Sequence, residues 1–201
     1  MKSSLSSGFT LLEVVVVLGV VALLAAVLTP IVSGHLEDAR LQRARADART
    51  IAEALQAAHE DLGDFPIFRD GARSARNLTD AATYDVLAGR GEIPRLDGAG
   101  WSAADDGGSD RGALGDQLVA NAPGYPVRGR FSWQGPYMET PYADPWGRAF
   151  LVNAENLRPA QGQAAYVLSA GPDGVVETDF ELDRLTEDVV GSGDDVLVRL
   201  R

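Results

Sequence analysis

The sequence predicts an α+β protein: one long N-terminal helix with a small antiparallel sheet packed on the helix's second half. Three observations predict it. A mostly apolar run from Val14 to Val32 leads into a stripe of apolar residues at spacings of three and four that ends before Gly63. Short apolar stretches, Ala149–Val152, Ala165–Leu168 and Val196–Leu200, recur in the C-terminal half and read as three strands. The 201 residues, 45% of them hydrophobic, suffice for one globular domain plus an appendage.

The helix comes first. Residues 1–8 are short and polar, with Lys2 the only charge. From Phe9 to Val32 the chain spans roughly 36 Å as α-helix, enough to cross a hydrocarbon core of about 30 Å with some tilt. The apolar core of a cleaved secretory signal is shorter, about 7–15 residues, so a membrane anchor over 9–34 is the expectation. Two residues interrupt the run. Glu13 is an acid among Phe, Leu and Val, either reaching the headgroups or buried and awaiting a cation from another chain. Pro30 removes a backbone hydrogen bond and tends to kink a helix. Over 35–62 the apolar residues Leu41, Ala44, Ala48, Ile51, Leu55, Ala58 and Leu62 form one face, and Gly63 and Pro66 end it. Arg40, Arg43, Arg45 and Arg49 lie close behind the span and by charge alone argue against export of the C-terminal part of the chain.

Residues 63–201 are expected to form the globular domain. Asn77 to Leu87 reads as a short helix, and Asp97 to Asp116, dense in Gly, Asp, Ser and Ala, as a surface loop pinned by Trp101. Asp144-Pro145-Trp146-Gly147 is turn chemistry, since Pro fixes φ and Gly permits positive φ. Trp133, Tyr137 and Trp146 read as packing and turn anchors. From Pro172 onward nine acids face three arginines, an anionic loop region ahead of the last strand.

Composition narrows the function. A net charge of −11 makes the chain a poor ligand for nucleic acid. No cysteine is present, which excludes disulfides, thiolate catalysis and Cys-type zinc sites. The two histidines, His35 and His59, belong to no hydrolase motif, and the acids lie in loops, so no enzymatic activity is expected.

Gly8-Phe9-Thr10-Leu11-Leu12-Glu13, behind a short polar leader with a Lys and ahead of a long apolar helix, resembles the processing signature of type IV prepilins and pseudopilins. Gly135-Pro136-Tyr137 followed by Asp144-Pro145-Trp146-Gly147 is similar to the major pseudopilins of type II secretion systems. The resemblance implies that residues 1–8 are a leader, cleaved between Gly8 and Phe9 by a prepilin peptidase, with N-methylation of Phe9. It implies that the new amine pairs with Glu13 of an adjacent subunit, and that Pro30 is a helix-breaking position used in assembly. The implied protein is a single-pass subunit of the bacterial inner membrane with its C-terminal domain in the periplasm. Such a subunit self-assembles with other pseudopilins into a filament on an inner-membrane secretion platform. In major pseudopilins a Gly- and Asp-rich loop binds calcium, and Asp173, Asp194 and Asp195 are the matching carboxylates. Two other readings stay open at this point: a type IV pilus or DNA-uptake pilin, and a signal-anchored periplasmic domain that binds calcium and a partner protein.

Overall fold

The computed structural model describes residues 10–70, 83–105, 110–140, 142–159, 161–182 and 191–200, with backbone alone at 27–33 and 105. The chain divides into two compact units, Met1–Ala39 and Arg40–Arg201.

Helix α1 (Leu11–Leu62) begins at a local cap, where the Glu13 backbone N–H donates to Thr10 Oγ1 at 3.2 Å. In the first unit its described side chains stay open to solvent: Leu11, Leu12, Val14, Leu18, Leu23 and Leu24 are all more than two-fifths exposed. Among the described residues no helix is long and apolar enough to cross a membrane. The apolar run of the sequence is wider than that stretch, because Phe9 and the side chains of 27–33, Pro30 included, lie outside the described residues. Gly8 and the rest of the leader lie outside them too.

In the second unit the expected stripe is the buried face. Ala44, Ala48, Ile51, Leu55 and Ala58 are all but inaccessible, and Leu41 and Leu62 at its ends are half-buried. Gly63, at φ +80°, ends the helix with its N–H on the His59 carbonyl at 2.8 Å.

The remaining elements are β1 (Val86–Ala88), β2 (Arg95–Leu96), a helical turn α2 (Ser102–Asp105), β3 (Arg111–Ala113), a π-helical turn (Asp116–Ala120), β4 (Leu151–Val152), a 3₁₀ turn (Ala154–Leu157), β5 (Tyr166–Ser169), β6 (Val175–Val176) and β7 (Val196–Arg199). Five strands form one sheet in the order β3-β1-β4-β5-β7, and β2 pairs with β6 in a second. The three strands expected from the sequence are present and antiparallel, with Leu151 opposite Leu168 and Leu168 opposite Leu197. The expectation of a wholly antiparallel sheet is corrected: β1 runs parallel to β3, and β2 parallel to β6. For β1 and β3 the chain passes through β2 and α2 in between, the long connection that a parallel pair requires.

Both faces of the main sheet are covered. On one, Leu87, Val152 and Val167 pack with Ile51, Leu55 and Ala58 of α1. On the other, Val86, Leu151, Tyr166 and Leu168 pack with Trp101, Ala104, Val176 and Phe180. The unbroken apolar runs of β4 and β5 follow from this, since a strand buried on both sides has no polar face to show. Two expectations are therefore corrected. Asp97 to Asp116 is no plain surface loop: its described residues carry α2 and β3 and give Trp101 and Ala104 to the second cover, with Trp101 pinned as expected through Nε1–H to the Thr178 carbonyl at 2.7 Å. The helix expected over Asn77 to Leu87 ends in strand instead, because Val86 and Leu87 are fully buried between β3 and β4; its first part, 77–82, lies outside the described residues.

Candidate metal centre and assembly helix

Three turns build the acidic site. The first is Asp144-Pro145-Trp146-Gly147, where Asp144 Oδ1 accepts from the N–H groups of Trp146 at 3.0 Å and Arg148 at 2.8 Å. Its Oδ2 accepts from Ser169 Oγ at 2.8 Å, tying this turn to the end of β5. The second turn, 170–174, wraps the Arg148 guanidinium, whose Nη1 donates to the Gly171 carbonyl at 2.7 Å. The third, 192–195, precedes β7 and brings Asp194 and Asp195 to the same place.

Asp173, Glu177 and Asp194 each present a carboxylate oxygen, all within 4.8 Å of one another. Asp173 Oδ1 accepts from the Val175 N–H at 2.8 Å, and Asp194 Oδ2 accepts from the Asp173 N–H at 3.1 Å. Glu177 reaches the group because Gly193 leaves room: at φ +61°, a Cβ there would fall 1.2 Å from Glu177 Oε2. Asp195 stands behind the group, 8% exposed. Its Oδ2 accepts from the Glu177 N–H (3.0 Å), the Thr178 N–H (2.8 Å) and Thr178 Oγ1 (2.7 Å). Burial pushes the Asp195 carboxyl above the usual range, and these three donors oppose that shift. Asp194 Oδ1 and Asp195 Oδ1 are buried with no hydrogen-bond donor among the described residues. A buried lone pair without a donor is costly, and a cation satisfies it. Calcium takes oxygen ligands at about 2.3–2.6 Å, so carboxylate oxygens this close fit around one ion.

Of the three acids named from the sequence, Asp173 and Asp194 lie in this group, Glu177 takes the third place, and Asp195 stands outside it with Oδ2 on the Glu177 and Thr178 donors. Of the other acids on the same stretch, Asp179 turns to the Ala99 N–H at 2.8 Å, and Asp183 lies outside the described residues. Asp144, Ser169 and Arg148 were not legible from sequence as parts of this site. The Asp-Pro turn was visible, but its bond to Ser169 spans 25 positions and leaves no local signal.

On α1, Glu13 is exposed in the first turn among exposed Leu and Val residues. Gly8 and Phe9, the residues of the implied cleavage, lie outside the described residues. Neither histidine joins the acids. His35 is exposed, and His59 stacks on Phe65 at 4.2 Å.

No family model matches the chain, and no solved structure matches it. Two curated relatives do. The chain is 27% identical over 175 residues to the type II secretion system core protein G of Escherichia coli (strain K12), covering 87% of this chain and 88% of that one. It is 24% identical over 179 residues to the type II secretion system core protein G of Klebsiella pneumoniae, covering 89% and 94%. The similarity to type II secretion pseudopilins therefore extends over most of the chain and is not confined to its N-terminal motif.

Proposed function

We propose that this chain is a structural subunit of a type II secretion pseudopilus, assembling through α1 into a periplasmic filament that drives protein export. The observation that carries the reading is the contrast along one helix. Its second half has a buried face against a sheet, whereas the described side chains from Leu11 to Ala26 are exposed on every side and, Glu13 apart, apolar. Exposed apolar area of that extent calls for lipid or for the same helix of other copies. A filament subunit meets both, first in the membrane and then in the filament core. The full-length similarity to two core proteins G supports the same role.

In this reading Phe9 to Val32 is the single inner-membrane span, the globular unit is periplasmic, and a prepilin peptidase cuts between Gly8 and Phe9. The methylated Phe9 amine pairs with Glu13 of a neighbouring copy. The work is mechanical and not catalytic. Calcium sits on Asp173, Glu177 and Asp194, where its charge joins loop ends that no disulfide holds. Asp195 orders that loop from behind through Thr178.

Intact-mass and N-terminal analysis of the chain from its native membrane tests the reading. A chain starting at N-methylated Phe9 is expected. A chain still starting at Met1, in a host with active prepilin peptidase, replaces it with a signal-anchored binding domain.

A further inference from the structure

Among the described residues of the second unit, three large apolar side chains are exposed: Val127 at 65%, Phe131 at 52% and Tyr142 at 52%. Scattered singly, such residues need no explanation. Two of these three lie on one loop, together with exposed Arg128 and Arg130. The loop stands out in charge as well. Between Asp116 and Glu139 the chain has no acid, although residues 63–201 hold twenty-two acids against thirteen arginines.

The loop is built to hold its shape. Its base is closed by the Trp133 N–H on the Pro126 carbonyl at 2.7 Å. Tyr125 and Trp133 stack there with ring centroids 6.0 Å apart. The Tyr125 hydroxyl donates to Gln117 Oε1 at 2.6 Å, and Asn121 grips both the N–H and the carbonyl of Tyr125. The Ser132 N–H donates to the Asp61 carbonyl at the end of α1, and the Phe131 ring lies against Gly63. The Arg130 guanidinium sits over that ring, 5.2 Å from its centroid. A preformed loop of Val, Arg, Arg and Phe loses little entropy on docking, and Arg and aromatic side chains are enriched where binding energy concentrates.

The same chain carries the complementary surface. Residues 177–181 alternate: Glu177, Asp179 and Glu181 are exposed, with Thr178 and Phe180 buried between them. This is an acidic ridge with charges at every second position. Arg128 and Arg130 have the same spacing in sequence. We infer that the 127–131 loop docks on the acidic ridge, chiefly Asp179 and Glu181, of a second copy of this chain. The inference rests on the filament reading, in which copies of the chain are each other's neighbours. It adds a contact between globular units to the one made by α1.

The absence of native cysteine gives a clean test in the full-length chain in its membrane. Arg130→Cys combined with Glu181→Cys is expected to give a cross-linked ladder with a short bifunctional maleimide, and Arg130→Cys alone is expected to give none. Arg128→Glu with Arg130→Glu should lower filament yield about tenfold, and adding Asp179→Arg with Glu181→Arg should restore it. All four positions are exposed, so an unchanged melting temperature checks that each variant folds. Filaments at normal yield from the Arg128→Glu/Arg130→Glu chain overturn the inference. Lost yield without rescue and without a ladder also overturns it, because the loop's partner is then another protein. If the wild-type chain itself forms no filaments, the filament reading falls first, which separates the two failures.

Discussion

Among single residues, the molecule's charges divide by burial. Arg158 is 7% exposed and meets Asp85 at 2.5 Å, Thr83 Oγ1 at 2.8 Å and Glu155 at 3.2 Å. Arg43 meets Asp47 at 3.4 Å with most of its side chain in water. Arg158 is the sealed member of its cluster, since the side chains of Asp85 and Glu155 keep 31% and 38% of their surface in water, whereas the Arg43 pair exchanges one solvated state for another. Arg158→Ala removes these three polar contacts and the packing around them and should cost about 1–3 kcal/mol in urea unfolding, against less than about 1 kcal/mol for Arg43→Ala. Equal costs would mean that Arg158 is not sealed from water in solution. Asp195 poses the opposite problem, a buried acid whose Oδ1 has no donor among the described residues. Its folded pKa lies above the ordinary carboxylate value, so the folded state holds the proton more tightly than the unfolded chain. This group's stabilising effect is therefore full below the unfolded pKa, and the metal-free protein loses it as pH rises through the folded pKa. Asp195→Asn keeps an acceptor for the Thr178 donors and removes the charge. In EDTA at neutral pH it should melt no lower than wild type, and its calcium response should shrink. In the wild type, calcium at about a hundredfold over its dissociation constant should add about 2.7 kcal/mol. An undiminished calcium response in Asp195→Asn would remove Asp195 from the ion's surroundings.

Among the secondary-structure elements, legibility followed length and period. The inner face of α1 was readable because its apolar positions repeat over many turns, and the buried face is the one the spacing marks. Strands β4, β5 and β7 were readable as apolar runs between turn residues. Strands β2 and β3 were not: Arg95-Leu96 and Arg111-Gly112-Ala113 carry no alternation, and pairing with strands distant in sequence supplies their structure. Of the acidic cluster, Asp173 and Asp194 were marked in advance through the resemblance, whereas Asp195 was marked and lies behind it. The choice of Glu177 over Asp179 was not legible, because both are exposed acids two positions apart, and what separates them is distant in sequence: Gly193 leaves room for Glu177, and the Ala99 N–H holds Asp179. Two substitutions test the layers. Leu55→Ala empties a fully buried position between α1 and the sheet and should cost about 2–5 kcal/mol. Trp101→Ala should cost about 3–5 kcal/mol through lost packing, and it also frees the Thr178 carbonyl that Trp101 Nε1–H holds. Because Thr178 in turn donates to Asp195, Trp101→Ala is expected to weaken calcium binding as well, readable by titration calorimetry. Unaltered calcium affinity in a folded Trp101→Ala chain would show that the second cover supports the sheet alone.

For the molecule as a whole, each unit poses its own problem of burial. The unit Arg40–Arg201 buries its apolar residues in two clusters, one on each face of its sheet. In the unit Met1–Ala39 the residues from Leu11 to Ala26 are apolar except Glu13 and exposed all round, and the described residues of that unit do not bury them. Lipid satisfies those residues but gains nothing from Glu13, whose carboxylate is tolerated near a helix end, where the insertion cost falls below the roughly 2.5–3.5 kcal/mol of a central position. In a filament of packed helices the same carboxylate leaves water and headgroups altogether, and an unpaired charge there costs several kcal/mol. In the proposed processing, the amine at Phe9 would be the cation nearest in sequence to neutralise it from another copy. On the proposed function, Glu13 is expected to matter little for entering the membrane and much for leaving it into the filament. Glu13→Ala should resist carbonate extraction like the wild type and be processed normally, while the yield of sheared filaments falls steeply. Mixing with wild-type chains should rescue only partly, since each substituted subunit leaves one Phe9 amine unpaired. Normal filament yield from Glu13→Ala chains alone would show that packing of the apolar faces, without the charge pair, sets the register between subunits.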